Sequence, residues 1–448
     1  MGKESIVIVG GGIVGIFSAL YLKKKYSKVV LVDKGILGGL LNSYNENGTM
    51  FDFGTHIPMD VMNLEIDKIL FDSISEENWE IFNDLKVANY FLGKLDTNTV
   101  YPDLRKFDEQ VFYNSFHQLL VANGFDMNND VNLKDYYSSK FGELISENVY
   151  RKIIYKFTGK NLEELHYKNS RLFDINRIVV GENTLTKKLK QIPEYDDVIA
   201  EVKYDTTNSI RKMYYPKNNK GIGLWIDNLR NKLLQSEVII KEYNSLAAIE
   251  NIDSQVKKIV LEDGEVIHTN HLVWSLPTSL LMKALRVNNN KEKRIEFRKT
   301  LLINYQFDRD FLVESHYINC LDNKFKSFRI TLYPNLTQTL KEKEIFNCTI
   351  ELFLDNSEEM SDIYYEVVAE ELLKMGVISV NHRVINRSFS VIGNGFPILN
   401  RKFMDEETER REFIENNYKN IVLVGKANIE NFFMRDSLLD TYHQINKL

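Results

Sequence analysis

The sequence predicts an α/β protein with additional α+β lobes, and three observations support this class. A strand, a glycine turn, a helix and a second strand occupy the first 33 positions. Apolar residues at helical spacing are frequent over 63–190, whereas alternating apolar residues between 299 and 354 are typical of an antiparallel sheet. An apolar strand followed by glycine at 420–425 repeats the opening pattern, which indicates that one domain is assembled from distant segments.

The opening segment has the pattern of a βαβ unit that holds the pyrophosphate of an ADP-containing cofactor. The apolar strand 6–9 leads into Gly10, Gly12 and Gly15, which have the G-x-G-x-x-G spacing, and a helix is predicted up to Leu22. Gly10 permits a tight turn, and Gly12 allows the backbone to approach a pyrophosphate. Because Gly15 is small, the helix can lie close against the strands.

The residues next to these glycines complete the predicted contacts. Ile13 and Val14 open the helix, whose free N–H groups and dipole suit a phosphate group. The second strand, 29–32, ends in Asp33, and we expect this acid to accept hydrogen bonds from ribose hydroxyls and to repel a 2′-phosphate. Lys34 follows directly and is included among the predicted cofactor contacts.

A membrane anchor or signal sequence over 6–22 is the alternative interpretation, because this apolar stretch approaches the length of a membrane span. The glycine spacing, the absence of an obvious cleavage site with small residues, and the acid at the end of the second strand favour the βαβ unit. We therefore predict no membrane span.

The composition of the 448 residues is that of an ordinary soluble globular protein, with 44% hydrophobic and 27% charged residues. The net charge of −6, without a dense cluster of Lys and Arg, argues against a nucleic-acid partner. Cys320 and Cys348 are far apart, which favours a reducing, cytoplasmic compartment and gives no metal-site signature.

A second glycine-rich loop follows the acid. It contains the pair Gly38 and Gly39, then Leu40 and Asn42, and a predicted hairpin leads from it into the stretch Phe51–His56, with the sequence FDFGTH. Apolar spacing predicts further elements: helices 224–234, 363–375 and 437–448, and strands 238–241, 257–261, 271–275, 301–307 and 346–354.

The glycine pair and FDFGTH resemble the "GGL…FDxGxH" stretch of an FAD-dependent family that includes amine oxidases, protoporphyrinogen oxidases and UDP-galactopyranose mutases. The resemblance implies FAD as the cofactor, with His56 close to the isoalloxazine ring and with the loop along the flavin. The cofactor contacts expected from this loop and the following stretch are Gly38, Gly39, Leu40, Asn42, Thr55 and His56. It also implies that Gly425 and Asp436 belong to a closing flavin segment. Residues 133–160 are similar to a helical segment of the sugar mutases, and 215–224 are similar to the family's "P-K-x-G" entry to a helix.

Three departures from the family pattern affect single contacts. Asp33 stands where the family commonly has Glu, Lys426 stands where an Arg is usual, and Leu40 stands where an Arg often follows the glycine pair. Lys keeps the positive charge of Arg but loses its planar fork.

The predicted domain division follows from these motifs. The FAD-binding domain is expected to consist of 1–62, 213–287 and 416–448. A mainly helical lobe is expected over 63–212, and a substrate-binding sheet domain over 288–415.

His56 is the candidate catalytic residue beside the flavin, and the alternative is a structural histidine with satisfied hydrogen bonds. For a nucleotide-sugar diphosphate the candidate cations are Arg171, Arg177, Arg298 and Arg329, because Arg bonds phosphate in two places. The alternative for each is a solvated surface arginine.

The leading hypothesis is an FAD-dependent oxidoreductase that transfers a hydride between the flavin and a small polar, sugar-like substrate. The second is an isomerase similar to UDP-galactopyranose mutase, in which reduced FAD acts as nucleophile on a nucleotide sugar. The third is a flavin-containing structural or carrier protein. The chain has no second G-x-G-x-x-G unit, so we expect no dedicated NAD(P)H domain; the external electron donor or acceptor and the oligomeric state stay open.

Overall fold

The computed structural model describes residues 4–122, 131–172, 175–203, 211–287, 296–429 and 431–448. In these ranges the strands are β1 (Ser5–Val9), β2 (Lys28–Val32), β3 (Ser43–Glu46), β4 (Thr49–Asp52), β5 (Trp79–Phe82), β6 (Val87–Phe91), β7 (Lys94–Asp96), β8 (Ile178–Val179), β9 (Ile199–Ala200), β10 (Met213–Pro216), β11 (Ile239–Lys241), β12 (Leu246–Ile252), β13 (Gln255–Leu261), β14 (Val266–His268), β15 (His271–Trp274), β16 (Glu296–Phe307), β17 (Tyr317–Cys320), β18 (Ser327–Leu332), β19 (Phe346–Leu354), β20 (Val384–Ile398) and β21 (Ile421–Leu423).

The α-helices in the same ranges are α1 (Ile13–Leu22), α2 (Leu64–Phe71), α3 (Glu109–Val121), α4 (Leu133–Phe141), α5 (Glu143–Ile145), α6 (Arg151–Thr158), α7 (Asn183–Leu189), α8 (Pro193–Asp196), α9 (Gly223–Gln235), α10 (Thr278–Ala284), α11 (Tyr333–Leu336), α12 (Gln338–Glu342), α13 (Ile363–Lys374), α14 (Arg401–Asn417) and α15 (Met434–Ile445).

A five-stranded parallel sheet organises the N-terminal and C-terminal segments, in the order β11-β2-β1-β15-β21. Alternate strand residues face opposite sides, as the period of a strand requires. Ile6 and Ile8 pack with α1, α2, α9 and α15 on one face, whereas Val7 and Val9 pack with β12–β14, α10 and α14 on the other. The result is a three-layer α/β arrangement whose strands come from distant parts of the chain, as predicted.

A seven-stranded sheet forms the other large layer, in the order β20-β16-β19-β18-β17-β6-β7. Its pairs are antiparallel, as predicted for the strands between 299 and 354, except for β17 with β6, which is parallel and adds a strand from outside that stretch. One face packs against α13. The other face carries the contacts to the β3–β4 hairpin and to α4 and α6.

The predicted elements correspond closely to these helices and strands, and the α/β class with a discontinuous Rossmann-like domain is confirmed. The division into three domains stays a prediction. Two segments cross its boundaries, because β6 and β7 join the large sheet while α14 packs against the parallel one through Ile414. The region 63–190 also contains short strands, which its helical spacing did not predict.

Candidate functional site

The glycine turn after β1 has the geometry that the spacing predicts. Gly10 has φ +108° and donates its N–H to the Val32 carbonyl at 2.9 Å. A Cβ on Gly15 would lie 1.8 Å from the Gly10 carbonyl oxygen, so only glycine permits this close approach. A Cβ on Gly12 would meet no atom within 4 Å. The turn is therefore tightly packed at two glycines and open at the residue that precedes α1.

Asp33 ties the glycine turn to the second loop. Its Oδ2 accepts the Gly11 N–H at 2.5 Å, and its Oδ1 accepts the Gly35 N–H at 2.7 Å. Each carboxylate oxygen has two lone pairs, so each can accept one further hydrogen bond. The predicted ribose contact is thus compatible with these two bonds, and it stays a prediction.

The second glycine loop lies directly against the first. Gly38, with φ +92°, donates its N–H to the Gly11 carbonyl at 2.8 Å. The Asn42 amide donates to the Leu37 carbonyl at 2.8 Å and to the Gly39 carbonyl at 3.0 Å. Asn42 is therefore occupied in holding the loop, whereas Gly39 and the following Leu40 are exposed.

Glu242, at the end of β11, fixes the same loop and was not predicted. Its Oε1 accepts the Leu37 N–H at 2.8 Å and pairs with the Arg230 guanidinium. Burial raises the pKa of Glu242, but the bonds from Arg230 and Leu37 outweigh burial and leave this pKa below its usual value. The carboxylate therefore stays ionised as an anchor for the loop.

The closing segment reaches the first turn of α1. Gly425 has φ +56°, and a Cβ there would lie 3.1 Å from Val14 Cγ1. The pKa of Lys426 is lowered, first by burial of part of its side chain and second by the neighbouring charge of Lys34. The residue nevertheless keeps an exposed surface. Two predicted positions, Gly425 and Lys34, thus converge near the helix N-terminus.

Asp436 lies in the first turn of α15, a position that suits an acid at a helix N-terminus. It is exposed, and its carboxylate lies 3.5 Å from Arg435 Nη1. Arg435 in turn donates to the Val61 carbonyl at 3.2 Å. The predicted cofactor contact of Asp436 stays a prediction.

A buried ion pair lies beneath the loop that follows β4. Glu351 on β19 is 3% exposed and receives two bonds from its cross-strand neighbour Arg329, Nε at 2.7 Å and Nη2 at 2.9 Å. The same carboxylate accepts the Thr55 N–H at 3.1 Å and the Thr55 hydroxyl at 3.2 Å. Thr55 also makes a hydroxyl contact with Thr331 on β18. The structure therefore joins two predicted residues, Thr55 and Arg329, through an acid that was not predicted.

His56 follows Thr55 and is held as a neutral ring. Burial lowers the pKa of His56 to about 4, with the charge of Glu351 raising it and the charge of Arg329 lowering it further. Nε2 lies 3.1 Å from the Phe53 carbonyl, which can only accept, so Nε2 carries the hydrogen. Nδ1 is then the acceptor nitrogen of a neutral imidazole at pH 7.

Asp52, the acid of FDFGTH, connects the hairpin to α9. Its buried carboxylate accepts bonds from the Ser43 hydroxyl at 2.6 Å, the Tyr215 hydroxyl at 2.7 Å and the Ile222 N–H at 2.9 Å. Burial raises the pKa of Asp52 to about 6, and the three donors oppose this shift. Its backbone N–H donates to the Tyr333 hydroxyl at 3.0 Å, which extends the contact to α11.

The four candidate arginines are not gathered at one place by the contacts of the described residues. Arg329 lies beside the His56 loop, as above. Arg298 pairs with Asp355, and a Cβ on Gly159 would lie 2.9 Å from its Nη1, so it faces the end of α6. Arg171 is exposed at the end of a 3₁₀ turn, Tyr167–Arg171. Arg177 precedes β8, and its carbonyl accepts the Tyr150 hydroxyl at 3.3 Å.

The residues missed by the sequence analysis are acids within apolar surroundings. Glu351 stands in the run Ile350-Glu351-Leu352 of a buried strand, and Arg329 occupies the corresponding position in β18. A lone charge in a buried strand requires a partner, so opposite charges in two apolar strands are the signal that could have revealed the pair.

In the part of the chain that the structure describes, no group of three or more His, Cys, Asp or Glu side chains has an arrangement that could hold a metal ion. None of the helices in the same part of the chain is long and apolar enough to cross a membrane.

Comparison with known proteins connects this geometry to other chains. Residues 8–65 match the model of the NAD(P)-binding Rossmann-like domain. An uncharacterized protein in the nifH2 3′ region of Methanothermococcus thermolithotrophicus is 45% identical over 51 residues, which is 11% of this chain and 50% of that protein. The chain thus spans about half the length of that relative.

Three solved structures share the fold over nearly the whole length. The crystal structure of reduced UDP-galactopyranose mutase has a TM-score of 0.77 at 15% identity, covering 99% of this chain and 95% of its own. A protein provisionally assigned as a protoporphyrinogen oxidase, from Exiguobacterium sp. 255-15, has a TM-score of 0.71 at 15% identity, covering 100% and 99%. A CLA-producing fatty acid isomerase from P. acnes has a TM-score of 0.60 at 11% identity, covering 99% and 97%.

These similarities agree with the expectation from the sequence motifs. The glycine turn and the residues around it belong to the segment that matches a dinucleotide-binding domain. The chain therefore has an N-terminal segment that matches the NAD(P)-binding Rossmann-like domain model, and it has the fold shared by UDP-galactopyranose mutase and the protoporphyrinogen oxidase-like protein.

Proposed function

We propose that this chain binds FAD and is a flavin-dependent oxidoreductase that acts on a small polar, sugar-like substrate. The observation that carries the proposal is the glycine turn, which is open at Gly12, together with a neutral His56 in the stretch that resembles the flavin-facing loop of the FAD-dependent family. Both features depend on residues that the motifs had already singled out.

The residues present fit an FAD molecule. Gly12 leaves room for a pyrophosphate, and the N-terminus of α1 supplies N–H groups and a positive dipole. Asp33 keeps lone pairs for ribose hydroxyls, and Lys34 and Lys426 add positive charge nearby. A bound flavin would supply hydride-transfer chemistry.

In this proposal His56 holds no charge at pH 7 and offers Nδ1 as an acceptor to a substrate hydroxyl. Thr55 and Glu351 fix the loop that carries His56. The Asn304 amide on β16 donates to the Tyr44 hydroxyl on β3 at 2.7 Å, so neutral polar groups hold the hairpin on this face of the large sheet. A neutral, hydroxyl-bonding surface suits a polar substrate without a large net charge.

The second candidate is a mutase that uses reduced FAD on a nucleotide sugar. Its support is the similarity in fold to UDP-galactopyranose mutase and the presence of Arg329 beside the His56 loop. The ion pairs weigh against it, because Arg329 is paired with Glu351 and Arg298 is paired with Asp355. A diphosphate would have to use the remaining N–H groups of these arginines or to compete with a carboxylate.

The test is anaerobic photoreduction of the purified, FAD-loaded protein, followed by assays with UDP- and dTDP-sugars in both flavin states. Bleaching of the oxidised flavin by substrate supports the oxidoreductase. Activity only with reduced flavin, with a product isomeric to the substrate, supports the mutase. A protein that is colourless and cannot be loaded with FAD excludes both functions.

A further inference from the structure

The carboxylate of Glu351 lies between two partners from different parts of the chain. On one side Arg329 gives it a pair of parallel bonds, at 2.7 and 2.9 Å. On the other side Thr55 gives it a backbone and a hydroxyl bond, at 3.1 and 3.2 Å. Thr55 is 296 positions away in the sequence, so this carboxylate is a direct link between the large sheet and the loop that carries His56.

The negative charge of Glu351 is stabilised by the groups around it. Burial raises the pKa of Glu351, but the charge and the hydrogen bonds of Arg329, followed by the Thr55 N–H, outweigh burial and leave the pKa below its usual value. A buried carboxylate is tolerated only when it is paired and hydrogen-bonded. Glu351 satisfies both conditions with four bonds.

The approach of the loop is unusually close. Gly54 has φ +101°, and a Cβ at this position would lie 3.1 Å from Glu351 Oε2. An ion pair that only joined the two strands β18 and β19 would need no such contact with a loop. The glycine, the Thr55 N–H and the Thr55 hydroxyl together bring the loop onto the carboxylate.

We propose that Glu351 is a positioning residue, which fixes Thr55 and thereby sets the orientation of His56, while Arg329 balances its charge. This inference rests on the proposed function for its catalytic meaning, but its structural content concerns only residues of this chain. Glu351 itself is not expected to contact substrate, because it is buried beneath the loop and its oxygens already accept four hydrogen bonds.

The test follows the His56 ring by NMR in protein labelled with carbon-13 at histidine Cε1, with and without added FAD. The His56 signal is assigned from its loss in His56→Gln. Glu351→Gln removes the negative charge and keeps the size of the side chain. Because Glu351→Gln leaves Arg329 buried without its partner, Arg329→Met/Glu351→Gln is the second variant, which removes both charges.

The matched control is Glu407→Gln. Glu407 is also buried, pairs with Arg410 at 2.9 Å and accepts a threonine hydroxyl, from Thr278, at 2.6 Å. It lies on α14, where Arg410 keeps a second acid, Glu406, at 3.6 Å, and so it removes a buried carboxylate from an ion pair without touching the His56 loop. Thermal unfolding of each variant measures the general loss of stability.

The expected result is a shifted or broadened His56 signal in the single and the double Glu351 variants, with the parent signal retained in Glu407→Gln at a comparable loss of thermal stability. An unshifted signal in the folded double variant overturns the proposal. An equal shift in Glu407→Gln also overturns it, since the effect would then be general destabilisation. Failure to bind FAD would refute the proposed function alone, because the His56 signal is measured in the FAD-free protein as well.

Discussion

Substitution of Gly12 by alanine separates the folding of the glycine turn from its use as a binding site. A Cβ at Gly12 would meet no atom within 4 Å, and the backbone there, with φ −68° and ψ 178°, is accessible to alanine. Reduced freedom of the unfolded chain stabilises such a variant by about 0.4–1 kcal/mol, and the poorer helix cap costs about as much. We therefore expect the free energy of unfolding of the FAD-free protein to change by less than about 1 kcal/mol.

Binding should respond very differently. A methyl group at Gly12 would occupy the space through which a pyrophosphate approaches the N-terminus of α1. Loss of one or two charge-assisted hydrogen bonds, at about 1.5–3 kcal/mol each, corresponds to a loss of affinity of roughly 100-fold. At an FAD concentration of 100 times the parent dissociation constant, FAD stabilises the parent by about 2.7 kcal/mol, and it should stabilise Gly12→Ala by only about 0.4 kcal/mol.

Gly15→Ala is the contrasting variant. Its Cβ would lie 1.8 Å from the Gly10 carbonyl oxygen, whereas non-bonded heavy atoms prefer separations of about 3.5 Å. The turn must move, so we expect a loss of about 1–3 kcal/mol of stability without FAD. The assay is thermal unfolding of deflavinated proteins with and without FAD, together with FAD titration by fluorescence. A Gly12→Ala protein that binds FAD within threefold of the parent affinity would refute the reasoning.

Three further predictions follow from the same structure. Tyr215→Phe removes a hydrogen bond to Asp52, whose pKa is raised to about 6. Because the bond is stronger to an ionised carboxylate, the loss of unfolding free energy should grow from about 1 kcal/mol at pH 5 to about 2 kcal/mol at pH 8. Equal losses at the two pH values would contradict this. Because burial lowers the pKa of His56 to about 4, this histidine is protonated in the unfolded chain before it is protonated in the folded protein. The free energy of unfolding of the parent should therefore fall by up to about 3 kcal/mol between pH 6.5 and pH 4. His56→Asn should flatten this dependence in urea unfolding, and an unchanged slope would contradict it. NADH and NADPH should not bleach the bound flavin rapidly, and saturable bleaching in a stopped-flow experiment would show that a dedicated site exists.

The glycine turn after β1 could be predicted because its geometry depends on residues that lie close together in the sequence. The positions of Gly10 and Gly15 follow from a spacing of a few residues, and a tight turn and a close approach exclude side chains there. The core elements could be predicted for the same reason, since the apolar period of α9 and β19 is visible in a short window. The helix α14 was missed because its sequence is largely polar. The strand β20 was missed because Gly393, Gly395 and Pro397 interrupt its apolar pattern and its partner strand lies far away in the chain.

The residues around His56 illustrate why contacts between distant parts of the chain could not be predicted in the same way. Arg329 was singled out as a cation for a diphosphate, yet its charge is matched by Glu351 on the neighbouring strand. That pairing depends on the register of β18 with β19, and the contact with Thr55 depends on how the β3–β4 hairpin packs on the sheet. Burying an unpaired charge costs several kcal/mol, so an arginine in an apolar strand must be paired with an acid of the folded protein whether or not a ligand binds. The pairing of Arg329 with Glu351 is therefore decided by the fold, and the His56 signal of the double variant, which lacks both charges, tests whether the carboxylate sets the orientation of His56.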